Sequence, residues 1–105
     1  MHTDILGTQA TIHLDSIVKG GEAAALMEEV KALLGQGLKA IHLDLQAVEH
    51  IDSAGLGMLV NAARRVRSSD ASLDLTGLSP VIRALLQRTG LDEVFDMAPR
   101  AEGGR

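Results

Sequence analysis

Apolar and polar residues alternate along residues 9–14, where Ala10, Ile12 and Leu14 interleave with Gln9, Thr11 and His13. This period of two predicts a strand with one buried face. The rhythm returns at residues 40–45, with Ile41, Leu43 and Leu45 pointing one way and His42 and Asp44 the other, and at residues 72–75 through Leu73 and Leu75. Between these strands the period lengthens. Residues 22–34 are rich in the helix formers Ala, Leu, Met, Glu and Lys, with Leu26, Val30, Leu33 and Leu34 on one face, and Gly35-Gln36-Gly37 stops the run. A second amphipathic stretch places Leu56, Leu59, Val60, Ala63 and Val66 on one stripe and Asn61, Arg64, Arg65 and Ser68 opposite. A third follows Ser79-Pro80, a capping hydroxyl and a proline that costs no hydrogen bond at the first helical position. Its stripe is Val81, Ile82, Leu85 and Leu86; Gly90 ends it, with Leu91 placed to close the cap.

Smaller elements complete the pattern. Ile17 and Val18 predict a second short strand, ended by Lys19-Gly20-Gly21, and residues 91–97 a short edge strand or turn. Residues 1–8 read as a lead-in and residues 98–105 as a frayed polar tail, leaving one domain over residues 9–97. Strands alternating with helices call for parallel crossovers, so the expected class is an α/β sandwich. Its sheet is mostly parallel, with helices packed mainly on one face.

Composition narrows the function. A chain of 105 residues with 46% hydrophobic content supports a single core. Phe95 is the only aromatic residue, so base stacking on single-stranded nucleic acid has nothing to use. A formal net charge of −4 and a pI near 5.4 disfavour phosphate-backbone binding. The basic group Arg64, Arg65 and Arg67 is local: a solvated helix face, or an edge that meets an acidic partner. There is no cysteine for disulfide or thiol chemistry. No apolar run reaches the roughly 18 residues of a membrane span, and the opening residues lack a secretory pattern. The expected location is the cytoplasm, without membrane insertion.

The candidate chemistry lies where an extended segment turns into the second helix. Asp52 and Ser53 both carry oxygens able to accept from the first free N–H groups of a helix, so the helix is expected to start there. Ser53 is then either a plain first-turn residue or a phosphoacceptor, whose phosphate would meet the positive end of the helix dipole while being repelled by Asp52. Other chemistries have less support. A Gly-x-Ser-x-Gly elbow would need glycine where Ile51 stands, and no histidine follows Ser53. His42 and Asp44 share a strand face and Glu49-His50 sits in the preceding loop, but spacing places no third metal ligand. Gly55-Leu56-Gly57 fits no nucleotide loop, because Val60 occupies the last glycine position of Gly-x-Gly-x-x-Gly. These glycines instead allow close approach of a neighbouring element or a partner protein. No catalytic set, metal or cofactor is expected, and phosphoryl transfer would have to come from another protein.

The run Asp52-Ser53-Ala54-Gly55-Leu56-Gly57 follows the strand Ile41-His42-Leu43-Asp44-Leu45. It precedes Leu78-Ser79-Pro80 and Thr89-Gly90-Leu91-Asp92-Glu93-Val94-Phe95. Together these segments resemble the STAS domain of bacterial anti-sigma factor antagonists over residues 9–97. The resemblance implies a STAS-like fold with Ser53 phosphorylated by a serine kinase that doubles as an anti-sigma factor. It implies partner contacts through Asp52, Ser53, Ala54, Gly55, Leu56 and Gly57. The unphosphorylated protein would bind that kinase and free the sigma factor, phosphorylation would release it, and a serine phosphatase would reset it; the free protein would be a monomer. Two features depart from the family pattern: Ser16-Ile17-Val18-Lys19 replaces a Gly-Glu-Leu-Asp segment, so Lys19 bears on partner choice, and little chain follows Met97. Two alternatives remain open at this level: a constitutive STAS subunit of a larger assembly, such as a lipid-transport ABC system, and a small serine-dependent hydrolase.

Overall fold

A computed structural model of the chain describes residues 1–15, 17–18, 20–90 and 96–97. The expected strands are β2 (Gln9–His13), β3 (Ile17–Val18), β4 (Ala40–Asp44) and β6 (Ser72–Thr76). The helices are α1 (Gly20–Gly35), α2 (Ser53–Ser68) and α3 (Pro80–Arg88). Two short strands are added, β1 (His2–Leu6) and β5 (His50–Ile51), and β7 (Asp96–Met97) lies in the stretch expected to hold an edge strand or turn. The main sheet runs β1-β2-β4-β6-β7, antiparallel at the β1–β2 pair and parallel elsewhere. The α/β class with a mostly parallel sheet is therefore the observed one.

Within the lead-in, residues 2–6 form a strand. Residues 2–6 pair with β2 in the register His2↔His13 to Leu6↔Gln9. Their side chains are mostly exposed, so no buried face imposes an alternation that pattern reading could detect. Residues 91–95 and 98–105, and Ser16 and Lys19 of the segment that departs from the family pattern, lie outside the described residues.

One face of the sheet carries the core. Ala10 and Ile12 from β2, Ile41 and Leu43 from β4, and Leu73 and Leu75 from β6 all point into it, with Leu14 and Leu45 just past the strand ends. The helices close over that face with Leu26, Val30 and Leu33 of α1, Leu59, Ala62, Ala63 and Val66 of α2, and Ile82 and Leu86 of α3. One expectation is overturned: Val81 is 71% exposed. Ile82 and Leu86 lie four apart and hold the buried stripe, so the residue before Ile82, about 100° round the helix, faces out. The opposite face of the sheet, lined by His13, His42, Asp44 and Asp74, is half-exposed.

Gly77 closes the end of β6 against the end of β4. Its φ is +70°, and a Cβ there would come within 2.8 Å of Asp44 Oδ1 and 2.9 Å of the Gln46 backbone nitrogen. The substitution Gly77→Ala thus forces a strained backbone and displaces Asp44 together. It is expected to cost at least about 1–3 kcal/mol, read as a lower urea midpoint with an unchanged slope.

Candidate functional site

Ser53 sits where a strand passes into a helix with no loop between. β3 and β5 form a separate two-stranded parallel ladder, Ile17↔His50 and Val18↔Ile51, so the chain entering α2 is held in place up to Ile51. Asp52 follows with extended backbone (φ −89°, ψ −179°), and its carboxylate caps the helix by accepting from the Gly55 N–H at 2.7 Å. The Leu56 N–H reaches the Asp52 carbonyl at 2.9 Å. Of the two residues able to cap, Asp52 does so, which leaves Ser53 at the first helical position with its side chain exposed.

The surroundings of that hydroxyl define what it can do. Among the described residues it makes no hydrogen bond, and the N–H groups of Ser53 and Ala54 are not taken up by the helix or the cap. Its oxygen is open to solvent, with two backbone donors and the positive end of the helix dipole at hand.

The six residues of the motif divide by exposure. Asp52, Ser53, Ala54 and Gly57 are exposed, Leu56 is half-buried and packs on the core, and Gly55 is buried. Gly55 thus lies on the inner side of α2. A Cβ at Gly57 would meet nothing within 4 Å; the missing side chain there keeps the outer surface low rather than relieving a clash. Further along the outer stripe Asn61, Arg64, Arg65 and Ser68 are exposed. Leu59, on the opposite side, is fully buried and anchors the helix.

Two of the polar residues weighed as metal ligands, His42 and Asp44, are engaged in cross-strand pairs. His42 Nδ1 lies 2.6 Å from Asp74 Oδ1, and Asp44 Oδ2 lies 2.6 Å from His13 Nδ1. Among the described residues no three histidines or carboxylates are arranged to hold a metal ion. His50, expected in a loop, is in β5. Sequence reasoning missed these cross-strand pairs, whose only signal was the recurrence of histidine and aspartate at outward positions of separate strands. No helix of the described residues is long and apolar enough to cross a membrane.

Comparison with known proteins places this geometry. The family model described as "Mlab, STAS domain" matches residues 1–98. The anti-sigma-B factor antagonist of Bacillus subtilis is 34% identical over 82 residues, covering 78% of this chain and 74% of that protein. Among solved structures, the protein TM1081 superposes with a TM-score of 0.83 at 25% identity, over 91% of this chain and 78% of that one. The anti-sigma factor antagonist SpoIIAA in its unphosphorylated form superposes with a TM-score of 0.78 at 17% identity, over 96% of this chain and 90% of that one. In its phosphorylated form SpoIIAA gives 0.72 at 18% identity, over 96% and 93%. At those identities the SpoIIAA match speaks for the fold, while the family match and the B. subtilis relative each span most of the sequence: this chain belongs to the STAS-domain family.

Proposed function

We propose that this protein is an anti-sigma factor antagonist, a binding protein rather than an enzyme, and that the exposed first turn of α2 is the surface it offers to its partner. Ser53 is the switch in that surface. Unphosphorylated, Asp52, Ser53, Ala54 and Gly57 present a low contact backed by Leu56 and Gly55, and an anti-sigma factor that is also a serine kinase docks there. Phosphorylation by that kinase puts about two negative charges into the contact and releases it, and a serine phosphatase restores binding. The protein acts as a monomer in the cytoplasm.

The observation that carries this reading is the exposed Ser53 hydroxyl at the first helical position, beside a capping aspartate that already satisfies the cap. A serine needed only for capping would have its oxygen on a backbone N–H; here Asp52 holds that place. The relatives similar over most of the chain are named for antagonism of anti-sigma factors, which favours the switch over a constitutive subunit of a transport assembly or a hydrolase.

Incubation with the serine kinase of the native host and ATP is expected to add one phosphate, seen by intact mass and absent in Ser53→Ala. No addition, or addition that persists in Ser53→Ala, removes Ser53 as the switch.

A further inference from the structure

The face of the sheet turned away from the helices carries a second organised set of groups, across the strands β1, β2 and β4. The register aligns His2, His13 and Asp44 in one row and Asp4, Thr11, His42 and Asp74 in the next. His13 stands between two carboxylates. Its Nδ1 lies 2.6 Å from Asp44 Oδ2 and its Nε2 3.1 Å from Asp4 Oδ2. Asp4 also meets His2 Nε2 at 2.9 Å, and the His2 and His13 rings stack with centroids 5.8 Å apart.

A neutral imidazole has one N–H and one lone pair, whereas an ionised carboxylate only accepts. With a carboxylate oxygen opposite each ring nitrogen, neutral His13 must leave one contact lone pair to lone pair. The imidazolium donates to both. We propose that protonated His13 is a clasp that fastens the edge strand β1 through β2 to β4, and that its deprotonation releases the Asp4 contact and loosens β1. Asp4 is the contact released because it is the longer one and the more exposed carboxylate, 64% against 22% for Asp44.

His42 shows that the geometry is particular to His13. Its Nδ1 meets Asp74 but its Nε2 meets the Gln9 side-chain amide at 3.2 Å, a group that can turn to donate or accept. Neutral His42 therefore keeps both contacts. The charged groups around His13 are of both signs, and the two in contact with its ring nitrogens are the carboxylates. From β1 come His2, Asp4 and the N-terminal amine, the last engaged by Asp15 at 2.8 Å; from β4 comes Asp44. On its other face β1 is tied to α1 by Thr3, whose hydroxyl donates to Glu29 at 2.7 Å, so the clasp is not the sole fastening on this strand.

The direction of the pH dependence follows. The hydrogen bond to Asp44 first, then that to Asp4, raises the His13 imidazole above its ordinary value. Its stabilising effect is fully present below the unfolded imidazole value of about 6.5 and is lost as pH rises through the raised folded value. Hydrogen bonds from His13 and His2 hold the Asp4 carboxyl below its usual range, so that contribution is present above about 3.9 and is lost as pH falls through the lowered value. Between the two, in mildly acidic solution, β1 is held most firmly. As pH rises through the raised His13 value it loosens, exposing the β2 edge. Because this face lies on the other side of the sheet from α2, the clasp and the Ser53 switch fail or stand independently.

The test uses the full chain, Asp4→Asn and Asp44→Asn. By nuclear magnetic resonance the His13 ring is expected to titrate above about 6.5 and to move down in Asp44→Asn, whose amide oxygen can still accept from Gln46. Amide protection along the β1–β2 ladder, corrected for intrinsic exchange, is expected to fall about threefold between about pH 6 and pH 8.5 in the natural chain. In Asp4→Asn, where the amide can donate to the neutral ring, it should stay level over that range. A His13 midpoint at or below the ordinary value, level protection in the natural chain, or an equal fall in Asp4→Asn overturns the clasp.

Discussion

Ser53→Asp is expected to weaken binding to the anti-sigma factor partner by about 10- to 100-fold, and full phosphorylation by about 1000-fold, corresponding to about 4 kcal/mol. The melting temperature should hardly move in either case. The large effect comes from the contact. In water the added charge is solvated, but under a docked partner it loses that water without gaining a counter-charge, and an unpaired charge in a desolvated interface costs several kcal/mol. Asp52 stands beside it with a charge of the same sign. The small effect on stability has its own cause. The side chain is exposed and bears no hydrogen bond among the described residues that the change would break. An acidic group in the first turn of a helix gains about 0.3–1 kcal/mol from the dipole, which offsets repulsion by Asp52. Isothermal titration with the purified partner, set beside a thermal melt, separates the two. Undiminished affinity in a folded Ser53→Asp would show that partner docking does not use this turn. A collapse of the melting temperature would show that Ser53 holds the helix start together, against the exposed position found for it.

That the helix starts at this point was readable from the sequence, although which of Asp52 and Ser53 caps it was not. Asp52 before an apolar stripe of period 3.6 marks a helix start, and so does Ser79 before Pro80; both residues cap, Ser79 accepting from the Ile82 N–H at 3.2 Å. Inward and outward residues of β2, β4 and β6 followed from strict alternation. What escaped has a common origin. Leu38, Val48 and Leu78 are 6%, 2% and 6% exposed, yet they lie between regular elements, where no period points to them. β1 has no buried face to betray it, and β5 is two residues long, its existence depending on the partner strand β3 rather than on its own composition. Gly55 and Gly57, identical in the sequence, are told apart only by the direction each takes from the helix axis. The pairing of His13 with Asp4 and Asp44 depends on the order of strands in the sheet, a long-range property that no window of residues contains.

Leu43→Ala is expected to remove about 2–5 kcal/mol of stability, the largest loss foreseen for a single substitution in this chain. β4 is the middle strand of the sheet, flanked by β2 and β6, and Leu43 points into the core with no exposed surface. Removing its three outer carbons takes away contacts with both layers, and a strand hydrogen-bonded on both sides cannot shift to fill the space. Against a total stability of about 5–15 kcal/mol for domains in general, the urea midpoint should drop markedly while the slope is kept. The comparison with Ser53→Asp is the informative part. Below its lowered melting temperature Leu43→Ala should bind the partner and accept phosphate at Ser53 as the natural chain does, because α2 keeps its own cap and its remaining core contacts through Leu59, Ala62, Ala63 and Val66. One variant then loses stability and keeps the contact, while the other loses the contact and keeps stability. If Leu43→Ala, measured while folded, bound as poorly as Ser53→Asp, the first turn of α2 would not be a self-contained docking surface but one whose shape is set by the packing of the sheet beneath it.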